Sequence, residues 1–300
     1  MKPPVLPFAA VLWTTTALGC GRATPPPSPP SEAIDPNSVL LRYAAPATVL
    51  EQQLQLDLTH TSVGSYVEAT LRLRAALELE TKGEALHVAW ALSDIETLEL
   101  GGTAEPEDTA SSRTLLMDHG QGSTVSDVHG QLDALATSAA APNAARERAL
   151  SGEDGAPPSP IGVLLMTALE EQLRLPRLPT QALALDQPVE IEEESETVLA
   201  DAELVLPTTT VLRFTLRSVD DAGIASVAVE LASVAQPDTD PDAEDSGPRV
   251  RLETRSEGTL LFDVQQGIPV SLALTRNELI QLGERQGERS LNSNSQYRIP

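Results

Sequence analysis

The chain has 300 residues, 44 of them acidic against 20 basic, and a formal net charge of −24. Nucleic-acid backbones and anionic lipid surfaces demand the opposite sign, so neither is expected to meet this protein through a basic face. Aromatic residues make up 3% of the chain and cysteine occurs once, at Cys20; stacking platforms for bases or sugars are therefore scarce, and an internal disulfide is excluded.

Lys2 precedes an apolar run from Val5 to Leu18. The run is about a dozen residues, near the length of an export-signal core and short of the roughly 20 needed to span a bilayer. Ala17-Leu18-Gly19-Cys20 resembles the lipobox of bacterial lipoproteins. That resemblance implies removal of residues 1–19, acylation of Cys20, and outer-membrane sorting, because Gly21 rather than Asp follows the cysteine. Ordinary cleaved secretion and an uncleaved segment are the alternatives. Removal of 1–19 takes away Lys2 and leaves the mature chain one unit more acidic. Residues 20–37 hold Pro25, Pro26, Pro27, Pro29 and Pro30, which favour extended polyproline II and predict a semi-rigid tether.

From residue 38 the pattern is that of strands. Leu54, Leu56 and Leu58 alternate with Gln53, Gln55, Asp57 and Thr59. Leu71, Leu73, Ala75, Leu77 and Leu79 then alternate with polar neighbours, Thr81-Lys82-Gly83-Glu84 turns, and Leu86, Val88, Trp90 and Leu92 resume the alternation. A period of two with one charged face predicts a long antiparallel hairpin, wet on one side. Residues 38–133 form the first expected β unit. Residues 134–187 are expected to be a linker carrying one amphipathic helix over about 161–175, where Ile161, Leu164, Leu165, Ala168, Leu169 and Leu173 share a stripe and Pro176 stops the helix.

The second β unit is expected over 188–300. Leu212, Phe214 and Leu216 lead to a turn at Asp220-Asp221-Ala222-Gly223, and Ala225, Val227, Val229 and Leu231 return; further strands are predicted at Val250–Thr254 and Thr259–Val264. Thr114–Ser126 aligns without gaps to Thr259–Ser271 with eight of thirteen positions identical, which predicts tandem units. On that alignment Asp118-His119-Gly120 falls at a hairpin turn, as does Asp263. The fold expected is mainly β: two related antiparallel units with one helix, arranged as one open half-barrel or a two-sheet body.

Pro188-Val189-Glu190-Ile191, the run Thr210–Leu231, and Gly258-Thr259-Leu260-Leu261-Phe262-Asp263 with Gly267 and Pro269 resemble a family of uncharacterised bacterial envelope lipoproteins, a domain of unknown function. The likeness covers mainly residues 180–282. It implies a β-rich envelope protein and brings no catalytic residues.

Four histidines occur: His60, His87, His119 and His129. His119 and His129, with Asp118, Asp127, Ser123 and Ser126, are the candidate hydrolytic or metal set, yet they match no known spacing. Asp238, Asp240, Asp242 and Glu244 are a weak calcium candidate, since Ala243 and Arg249 stand where a calcium loop needs Gly and Glu. Glu190, Glu192, Glu193, Glu194 and Glu196 read as an acidic strand edge. The expectation is a non-catalytic envelope protein without cofactor or metal, held to the membrane through lipid on Cys20. Its partners are either an envelope protein or a hydrophobic ligand.

Overall fold

The computed structural model describes residues 38–46, 49–83, 85–131, 160–199, 204–236, 250–283 and 285–300. Ten strands form one antiparallel sheet: β1 (Leu50–Ser62), β2 (Ser65–Lys82), β3 (Ala85–Gly102), β4 (Gln121–Asp127), β5 (Pro188–Leu199), β6 (Leu204–Val219), β7 (Ile224–Ala235), β8 (Val250–Asp263), β9 (Ile268–Leu282) and β10 (Arg285–Arg298). Among the described residues two helices accompany them, α1 (Pro106–His119) and α2 (Pro160–Leu173). The fold is mainly β, as the alternation predicts.

The sheet order is β4-β3-β2-β1-β10-β9-β8-β7-β6-β5. This is the chain order of a ring cut between β4 and β5. The strands of the two expected β units meet where β1 pairs with β10, from Glu51↔Arg298 to Thr61↔Glu288. One hydrophobic cluster runs through both, joining Leu56 and Trp90 to Phe214 and Phe262.

The sheet is strongly curled. Tyr43 and Ala44 are chain neighbours, yet the Tyr43 N–H donates to Val128 O beyond β4, and the Ala44 N–H donates to Gly267 O between β8 and β9. In a flat sheet with strands about 4.8 Å apart, those acceptors would be separated by more than about 20 Å. Register shifts in β2/β3, β6/β7 and β8/β9 supply local bends. Residues 38–45 thus form a strap across one rim, here called the lower rim. Leu41 and Tyr43 on the strap are buried. The Tyr43 ring meets Phe262 edge to face at 5.7 Å, and its hydroxyl donates to Pro176 O at 2.6 Å.

Helix α2 lies against the inner, apolar face. Leu165, Met166, Leu169 and Leu173 are completely buried, as are Leu54, Leu56, Leu71 and Phe214 on the strands. The predicted stripe is therefore real, but burial extends to Gly162, Met166 and Gln172. The helix is wrapped by the sheet rather than laid on it. A second cluster of Leu206, Ala235, Val250 and Leu252 occupies the upper ends of β6 to β8.

Helix α1 stands in addition to the expected helix, which is α2. Thr114–Asp118 is helical, whereas the aligned Thr259–Asp263 is the end of β8. The difference comes from what precedes each segment. Pro106 opens α1, Glu107 and Asp108 fill its first turn, and Glu105 with Asp108 forms a reciprocal capping box. These satisfy the free N–H groups of a helix start and favour its dipole. Arg255-Ser256-Glu257-Gly258, before Thr259, carries no such signal and already pairs on both sides. The predicted strands at 250–254 and 259–264 are likewise one continuous strand.

Candidate functional site

The inner face carries charge where the fold should be driest. One rung across the sheet places His60 of β1 opposite Arg289 of β10, and Arg289 opposite Glu278 of β9. Arg289 donates through Nε and Nη2 to the two carboxylate oxygens of Glu278, both at 2.7 Å. Arg276, two residues before Glu278 on the same face, donates to Glu171 of α2 at 2.5 Å. Its Nε lies 3.2 Å from Glu278, though without the alignment of a hydrogen bond. Two guanidinium groups thus meet two carboxylates, and the network is neutral while His60 is neutral.

Burial pushes the Glu278 carboxyl up, but Arg289, and then Arg276, outweigh it and hold the group below the usual carboxylate range. Burial lowers the His60 imidazole, and the Arg289 charge lowers it further against an opposing Glu278. A cluster of this kind clamps α2 to β9 and β10. Beside it the buried Gln52 amide donates to Gln172 O of α2 at 3.0 Å and to Ser295 Oγ at 2.9 Å. Neither cluster was anticipated from the alternation pattern. The only signal was Arg289 and Glu278 standing in phase with apolar positions of their strands.

The histidine set comes apart. His119 closes α1 and His129 follows β4, so the seven residues of β4 at about 3.4 Å each hold them on the order of 20 Å apart. Asp127 Oδ1 accepts from the N–H groups of His129 and Gln131 at 2.8 and 2.9 Å. The His129 ring lies 3.1 Å from Leu41 O. Asp263 does the same turn work as Asp127, accepting from Gln265 and Gln266. Asp118 is not a turn residue at all, because it lies within α1. The aspartate equivalent to Asp263 in role is Asp127, and both head an Asp-Val turn that receives the strap.

Among the described residues no group of three or more His, Cys, Asp or Glu side chains is arranged to hold a metal ion. Cys20 and the candidates Asp238, Asp240, Asp242 and Glu244 lie outside the described residues. Glu190, Glu192, Glu193, Glu194 and Glu196 lie on β5, at the end of the sheet order. Glu190 pairs with Arg213 at 2.6 Å, and Glu193 with Arg177.

The outer face carries a depression of about 390 Å³ over β1, β10, β9 and β8. Its floor is two adjacent outward rungs. The first runs Thr59, Ser290, Asn277, Arg255, and the second runs Thr61, Glu288, Leu279, Glu253. The rung between them is the inward-facing His60–Arg289–Glu278 rung, so the buried charge network lies directly behind the depression.

No family model matches the chain, and no curated protein matches it.

Proposed function

We propose that this is a lipid-anchored, non-catalytic protein of the cell envelope, with a binding or scaffold role exercised by its curled sheet. The address rests on Lys2, the short apolar run and Gly19-Cys20, in keeping with the resemblance to envelope lipoproteins. The binding role is supported by one observation above the others. Two of the candidate catalytic side chains are engaged in architecture, the Asp127 carboxylate on a turn and the His129 ring on the strap, and α1 and β4 hold His119 apart from His129.

A carrier of a lipid or other hydrophobic ligand is the second reading. It is favoured by α2, an apolar helix held inside a sheet whose β4 and β5 edges are not paired to each other. Mass spectrometry of the purified protein is expected to find a co-purified lipid if this reading holds, and to find none if the sheet interior is purely core.

Cys20→Ser tests the address. The variant is expected to leave the membrane fraction and to lose the mass of the acyl groups. An unchanged fractionation and processed mass would remove the anchor from the proposal.

A further inference from the structure

We infer that the outer-face depression over β1, β10, β9 and β8 is a binding site for a short neutral glycan. This deepens the binding role proposed above and rests on that reading for the exposure of the site in the envelope. A depression of about 390 Å³ falls within the ~300–1,000 Å³ range of small-molecule sites.

Its chemistry selects the ligand. Thr59, Ser290, Asn277 and Arg255 stand side by side on neighbouring strands, and none of their side chains has a hydrogen-bond or ion-pair partner among the described residues. They offer two hydroxyls, a planar amide and a planar guanidinium in one row. Planar groups with paired donors or acceptors suit neighbouring hydroxyls on a sugar ring, and Leu279 in the adjacent rung supplies an apolar patch for the ring's C–H face.

Charge excludes the main competitors. Glu253 is paired with Arg251 at 2.5 Å, and Glu288 accepts from Gln286 at 3.1 Å. Together with Arg255 these charges cancel, so the floor favours neither cation nor anion. The surplus of acid over the whole chain repels phosphorylated or carboxylated sugars from a distance. No aromatic side chain lines the depression, so stacking contributes nothing and the affinity expected is modest, with Kd about 1 mM. The Arg289–Glu278 pair directly behind the floor fixes the rungs in place, so little ordering is needed on binding.

Saturation-transfer NMR on the full-length protein, with cellobiose, N,N′-diacetylchitobiose and maltotriose each at about 10 mM, tests the site. Transfer to at least one of these sugars is expected. It should fall at least about fivefold in the double variant Asn277→Ala/Arg255→Ala and persist in Arg72→Ala, on the outer face of β2 away from the depression. All three substituted residues are exposed, so unchanged circular dichroism is expected throughout. No transfer from any of the three sugars, or equal transfer in the double variant, would overturn the site. Stronger transfer to glucuronate than to the neutral sugars would overturn the neutral assignment. An envelope-bound protein that fails this test loses the glycan site while keeping its Cys20 anchor, so the two proposals fail separately.

Discussion

Arg289 sits with its side chain 9% exposed between Glu278 and Glu171, and its removal is not a simple loss of contact. Arg289→Ala leaves two carboxylates inside the sheet with only Arg276 to balance them, and breaking a buried pair from one side costs about 3–5 kcal/mol. Urea unfolding is expected to show that loss, and Arg289→Leu/Glu278→Leu is expected to recover most of it. Acid acts on the same network. An imidazole lowered in the fold binds its proton more readily in the unfolded chain. His60 therefore contributes stability that is complete above its ordinary value of 6.5 and is lost as pH falls from there through the folded value. Glu278 adds a second loss below its ordinary 4.5. Unfolding midpoints measured from pH 7.5 to 5 should slope less in His60→Gln than in the parent. An identical slope would remove His60 from the account. These residues were hard to read from sequence, because a charged residue in phase with apolar ones looks like an interruption until its partner on the next strand is known.

Among the elements, the strands announced themselves and α1 did not. Leucines at every second position define an inner face from one strand alone, and the strand turns at 83 and 220–223 stand where the sequence puts them. Thr114–Asp118 shares its residues with a true strand end, so its state is decided by the cap at Glu105 rather than by its own composition. The acidic run of β5 was legible for a physical reason. Glu192, Glu194 and Glu196 are exposed on a strand that ends the sheet order, and like charges on an edge oppose pairing with a second copy. Glu192→Val/Glu194→Val/Glu196→Val should therefore self-associate with rising concentration in sedimentation velocity, while the parent keeps its sedimentation coefficient. Equal behaviour of the two would mean that the edge is guarded by something other than charge.

At the scale of the whole molecule, the continuity of the sheet depends on a contact that no local pattern encodes. The pairing of β1 with β10 joins residues more than two hundred positions apart, as at Gln52↔Tyr297, and such long-range pairing is settled only when the chain has collapsed. The strap over the lower rim is the same kind of feature. A short stretch without periodicity, it ties β4 to the β8–β9 turn and draws the sheet into its curl. Tyr43 carries that tie through two separable contacts, the ring on Phe262 and the hydroxyl on Pro176 O. Tyr43→Phe keeps the ring and strands a part-buried carbonyl, which costs about 1–3 kcal/mol. Tyr43→Ala also forfeits the ring, and aromatic-to-alanine changes in a core cost about 3–5 kcal/mol. If the strap sets the curl, Tyr43→Ala should also raise binding of a hydrophobic dye under native conditions, because loosening the rim exposes the inner face, whereas Tyr43→Phe should not. Loss of stability in Tyr43→Ala with no added dye binding would mean that the curl is held by the bulges and strand pairing alone.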